Sequence, residues 1–169
     1  MSSGAQSGRK AFAVAGDLRS PYQILADIIK KGQRHVAEEL RQATDYFDRS
    51  YLKQDVHFVL IAADEFEQED CVAARILQRA EELKLKEPSQ AAALLFADTF
   101  PQKQLGFSKI IIFCRPGIYI PRPENPSNTH GKAFLLSSGL QAGKLDLIRK
   151  NRGKNRTFVR RGLAFAFCT

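Results

Sequence analysis

The sequence predicts an α/β fold: a single layered domain whose mixed or mostly parallel sheet of about five strands carries packed helices. Three observations lead there. Short, nearly continuous apolar runs at 56–63 and 109–114 read as strands covered on both faces. Segments with apolar residues at helical spacing stand between such runs. The chain is also 169 residues long and 44% apolar, with no internal repeat and no dividing linker. That is enough to bury about two-thirds of the unfolded surface around one core.

Residues 1–10 form a small polar lead expected to be disordered, and 11–169 form the domain. The run 11–15 reads as a strand closed by Gly16 and Asp17. Ser20 then offers an N-cap with Pro21 in the first helical position, and Ile24, Leu25, Ile28 and Ile29 share one helical face. Gly32 interrupts this pattern. Val36, Leu40, Ala43 and Phe47 extend it towards Tyr51, as one kinked helix or two. The strand 56–63 belongs in the middle of the sheet. The acidic stretch 64–70 is expected to open a helix with inner face Val72, Ile76, Ala80 and Leu83, its charges suited to the positive end of the helix dipole. Pro88 and Ser89 start the next helix, from Gln90 to Asp98.

The strand 109–114 ends at Arg115-Pro116-Gly117. Three prolines between 121 and 126 then suggest a short edge strand at 118–120 followed by a mobile, Pro-rich loop over 121–131. A third core strand is expected at 133–136, and a short amphipathic helix at 140–150 through Leu140, Leu145 and Ile148. The last segment, 157–168, alternates Leu163, Phe165 and Phe167 with Ala164, Ala166 and Cys168. It reads as a terminal core strand bent near Gly162.

Charge is distributed unevenly along this fold. Of the 26 Lys and Arg, thirteen lie within 102–169, against only two of the 18 acids, Glu124 and Asp146. The first 101 residues are net acidic. A field of one sign concentrates polyanions and speeds their capture. The densest stretch holds Lys144, Arg149, Lys150, Arg152, Lys154, Arg156, Arg160 and Arg161 with Asp146 as its single acid. Its Gly- and Asn-containing middle would let long cations follow a phosphate backbone. Arg115, Arg122 and Lys132, with Lys103 and Lys109, extend the surface, and Tyr119 is the aromatic placed to stack on a base. A solvated loop on a basic protein is the plainer reading of the same residues.

Other chemistry is weakly supported. Asp64 and Glu65 follow the central strand, where two carboxylates would hold a divalent ion for phosphodiester hydrolysis, with His57 seven residues before Asp64 in the strand and Asp17 in the equivalent place after the first strand. Acids at a helix start are equally explained by the dipole. Cys114 ends a strand ahead of Arg115, yet Ile120 stands where a phosphatase needs its arginine. His35 and His130 have no cysteine partner at an informative spacing. Cys71, Cys114 and Cys168 are odd in number and widely spaced, which predicts reduced, buried thiols and no structural zinc. Glycine-rich nucleotide motifs are missing, so no cofactor is expected.

The stretch 58–65 with its acidic sequel is similar to the central strand of the kink-turn RNA-binding ribosomal proteins and their growth-arrest relatives. Their Gly-x-x-Asn-Glu grip has no counterpart here, and no site residue is carried over.

No export signal and no run approaching the roughly twenty residues of a membrane span is present. A soluble, cytoplasmic or nuclear chain is expected, with no membrane partner. The function expected from these residues is non-enzymatic binding of nucleic acid, RNA before DNA. The alternatives are a metal-dependent nuclease or phosphotransferase built on Asp64 and Glu65, and an adaptor for an acidic protein.

Overall fold

The computed structural model describes residues 9–32, 34–100, 105–118, 120–122, 125–130, 132–138, 143–149 and 157–169. It mixes helices and strands, as expected. Among the described residues, seven strands form one mixed sheet, where about five were expected. They are β1 (Ala11–Val14), β2 (Arg34–Val36), β3 (Val56–Ala62), β4 (Lys109–Ile112), β7 (Lys132–Ser138), β8 (Gly143–Arg149) and β9 (Leu163–Cys168), in the order β1-β3-β9-β4-β7-β8-β2. Only the β9–β4 and β8–β2 pairs are parallel, so the sheet is mixed and not mostly parallel. Two more strands, β5 (Ile120–Arg122) and β6 (Asn125–His130), form a separate antiparallel ribbon.

Local chemistry sets the helix bounds. In α1 (Pro21–Lys31), the Ser20 hydroxyl accepts from the Gln23 N–H and the Gln23 side chain accepts from the Ser20 N–H. Gly32 ends the helix in the left-handed region at φ 65. In α4 (Gln90–Thr99), Ser89 caps the Ala92 N–H at 3.1 Å, and every residue from Gln90 to Ala97 is buried. A helix apolar on all sides has no solvent face to offer. Its C-terminal end is closed by the buried Arg34 of β2, whose guanidinium donates to the carbonyls of Ala97 and Phe100.

The two sheet faces are covered unequally. Residues of α1, α4 and α2 (Glu38–Gln42) join Val14, Phe58, Leu60, Ile110, Ile112, Leu145, Leu147, Ala164 and Ala166 in one core. On the other face, α3 (Ala73–Glu82) packs Ile76 and Ala80 on Ile61, Ile111, Leu163, Phe165 and Phe167. Gly162, at φ 67, admits the chain to β9: its carbonyl accepts from the Ser108 and Lys109 N–H groups, and an added Cβ would collide with the Ser108 side chain.

Several expectations need correction. Of the helix predicted at 140–150, residues 143–149 are strand β8, because Leu145 and Leu147 are buried while Lys144 is exposed and Asp146 between the leucines is only partly buried, a period of two; the remainder lies outside the described residues. The predicted loop at 121–131 contains the β5–β6 ribbon, where Ile120 pairs with His130 and Arg122 with Asn125; Pro121 and Pro126 are tolerated in a two-stranded ribbon that has only outer edges. Residues 34–36 leave the predicted helix to pair with β8, and α2 and a 3-10 turn at Thr44–Tyr46 follow. The acidic stretch forms two 3-10 turns, Ala63–Glu65 and Gln68–Asp70, ahead of α3.

Candidate nucleic-acid interface

Strand register decides which cations can act together. Leu163, Lys109, Ser137, Lys144 and His35 form one row across β9, β4, β7, β8 and β2. Arg160 and Arg161 enter β9 at this end of the sheet. At the opposite end, two residues beyond the row Ala166, Ile112, Phe134 and Leu147, Lys132 stands directly opposite Arg149. Arg115, three residues past Ile112, belongs to this second end and is exposed. Five residues of β8 separate Lys144 from Arg149, about 17 Å at ~3.3 Å per residue. The predicted cations thus occupy two ends of one sheet.

At the first end the cations are partly engaged. The Arg160 Nη1 donates to the Phe66 carbonyl at 2.7 Å, bracing the entry of β9 against the turn after β3. Lys144 lies 3.7 Å from Asp146. Arg161 is exposed.

At the second end the backbone is fixed. The Arg115 N–H donates to the Pro88 carbonyl at 2.8 Å. The buried Gln90 side chain then donates to the Pro116 carbonyl at 3.0 Å and accepts from the Asp48 N–H at 2.7 Å. The Arg115 guanidinium therefore projects from a turn tied to α4 and to the chain before β3. Arg122 falls in the β5–β6 ribbon, paired with Asn125. Lys150, Arg152, Lys154, Arg156 and Tyr119 lie outside the described residues, as does Lys103. The tract 150–156 follows Arg149 directly in the chain.

The carboxylates expected for catalysis are differently disposed. Glu65 is paired with the half-buried Arg9 at 2.6 Å, which also takes Arg9 out of the expected disordered lead. Asp64 is exposed beside it. His57 is the second residue of β3 and Asp64 follows the strand's end, about 20 Å away at ~3.3 Å per residue. Asp17 sits at the far end of the sheet, where Arg19 grips it through Nε and Nη2 and holds its carboxyl below the usual range. Arg19 also reaches Asp27 and Asp98. No group of three metal-ligating side chains occurs among the described residues. Cys114 is buried, and burial pushes its thiol up to about 12, far from a phosphatase thiolate.

One set of residues escaped the sequence reading. Among the aromatics whose exposure is described, no phenylalanine is exposed, whereas Tyr22, Tyr46 and Tyr51 all are. Tyr46 and Tyr51 flank Asp48, the residue that Gln90 ties to the Arg115 turn. The signal available in sequence was the choice of Tyr over Phe in a chain with twelve phenylalanines and four tyrosines.

Comparison of the chain with protein-family models, with curated proteins and with solved structures finds no match. The likeness of 58–65 to the kink-turn binders is not accompanied by a family match. Function is therefore read from the chain's own residues. Among the described residues no helix is long and apolar enough to cross a membrane.

Proposed function

We propose that this chain is a non-enzymatic nucleic-acid-binding protein of the cytoplasm or nucleus, preferring RNA to DNA. It grips the phosphate backbone from the sheet end bearing Arg115, Lys132 and Arg149, together with the cations at 150, 152, 154 and 156. The observation that carries this reading is the register: Lys132 opposite Arg149, one strand from the fixed and exposed Arg115, where the acid-poor tract begins. Like charges placed directly across a strand pair repel each other. A phosphate lying over them turns that cost into attraction.

Salt titration tests the reading. Seven phosphate contacts would give a slope of log K against log salt of about −5 on a single strand and about −6 on a duplex. The R152A/K154A/R156A variant should lose about two units of that slope on a single strand. A slope near zero, or binding unchanged in this variant, overturns the proposal. Matched ribo- and deoxyribo-strands test the RNA preference, which rests on contacts to the 2′-hydroxyl. Equal affinity for the two would remove the preference and leave phosphate binding.

A further inference from the structure

The chain between α2 and β3 is pinned at three points and presents what is left. Phe47 is buried in the core, the Asp48 N–H is held by Gln90, and the Leu52 carbonyl accepts from the Asp17 N–H at 3.0 Å. Between and beside these anchors, Tyr46, Arg49, Tyr51 and Lys53 are all exposed. Tyr46 and Tyr51 keep 44% and 42% of their surface in solvent. The Lys53 ammonium lies over one face of the Tyr51 ring at 6.0 Å, so a base would stack on the other face beside that cation. The acids of this stretch stay at the surface: Asp48 accepts from the Ser50 N–H and hydroxyl, and Asp55 from the Gly16 N–H. With the exposed Asp45 they oppose Arg49 and Lys53, so the positive charge offered to a phosphate here needs Arg115 as well. Through Gln90, the whole segment is tied to the turn that carries Arg115.

We infer that Tyr46 and Tyr51 form a stacking platform for the bases of single-stranded nucleic acid, with Arg49, Lys53 and Arg115 holding the adjoining phosphates. The inference rests on the proposed function and names the strand form and base contacts of that same end of the sheet. Three observations favour an unpaired strand. An exposed ring meets a base face only when the base is unstacked from its neighbours. A platform pinned at three points loses little conformational freedom on binding. Tyr is also the aromatic whose polar tip tolerates water in the free state.

The probes are a single-stranded oligouridylate and an abasic strand of the same length. The Y46A/Y51A variant should bind the oligouridylate roughly 5- to 150-fold more weakly, the range one stacked base gives on alanine substitution, with its salt slope unchanged. The Y46F/Y51F variant should retain binding, and the abasic strand should bind the parent about as the oligouridylate binds Y46A/Y51A. The chain has no tryptophan, so its intrinsic fluorescence is that of tyrosine and should be quenched by the oligouridylate in the parent. If the oligouridylate and the abasic strand bind alike and Y46A/Y51A binds as the parent does, the platform is wrong while the phosphate reading stands. If neither strand binds, both fall together.

Discussion

The two faces of the sheet are covered to different extents. One is covered from edge to edge: α1, α2 and α4 bury residues from Val14 on β1 to Val36 on β2. The other, among the described residues, is covered over β3, β9 and β4 by α3 together with Phe66, Cys71 and Phe158. Beyond α3 on that face, His57 at one side and Lys144 and His35 at the other are exposed. The comparison teaches that the larger core lies on the first face, so substitutions there should cost more stability than substitutions on the second.

The sharpest way to break that comparison is to remove one large ring from each face. Phe96 of α4 is fully buried and meets Phe58, Phe100 and Phe12 at ring distances of 4.5, 5.4 and 6.0 Å. Phe96→Ala should cost about 3–5 kcal/mol in urea unfolding, since a helix enclosed on all sides cannot collapse into the gap. Phe165→Ala, on the other face, should fall near ~3 kcal/mol, because Phe66 and Phe158 beside it are only half-buried and can settle inward. An equal or greater loss for Phe165→Ala would end the claim that the first face dominates.

The thiols sharpen the same contrast through pH. Cys114 and Cys168 belong to the fully covered face, and burial pushes each up to about 12 from an ordinary 9.0. Cys71, under α3, is also raised by burial, but the Arg160 charge opposes the shift. Because the folded state keeps these protons after the unfolded chain has released them, the stability they confer is complete below pH 9 and is lost as pH rises towards 12. Each thiol of the covered face should cost about 1.4 kcal/mol per pH unit in that window. Urea midpoints measured above pH 9 should therefore fall less steeply in a C114A/C168A variant than in the parent, and Cys71→Ala should flatten the fall least. A parent-like slope in the double variant would show that these thiols do not titrate with unfolding.

How much of this was legible beforehand follows from the range of the forces involved. Ser20-Pro21, Ser89 and Gly32 are local signals, and the helices they bound are where the sequence placed them. The runs at 56–63, 109–114 and 163–168 are strands because no other element buries so short and so apolar a segment. By contrast, β2 exists through its pairing with β8, and β8 through its pairing with β7. The triplet 34–36 has no strand signature of its own, and 143–149 carries a helix-like spacing of Leu145 and Ile148 that competes with the alternation of Leu145 and Leu147. Only tertiary pairing decides between them. The candidate site was legible as charge but not as geometry. Composition could mark 144–161 as cationic, yet register alone separates Lys144 from Arg149, and a buried Gln90 joins residues 48 and 116.

The smallest effect tests the open part of the second face. Lys144 and Asp146 stand two apart on β8, 3.7 Å from each other, with 46% and 31% of their side chains exposed. An ion pair this wet should contribute ~0–0.5 kcal/mol, so Lys144→Ala should barely move the unfolding midpoint. That quietness is what makes the variant informative. If the cations at both ends of β8 belong to one phosphate track, Lys144→Ala should still lower the salt slope by about 0.7 on a single strand. If only the Arg149 end binds, the slope stays as it was, and the track is confined to the end fixed by Arg115. A stability loss above ~1 kcal/mol would instead mean that this strand's open face supports the fold, and the contrast between the faces would have to be redrawn.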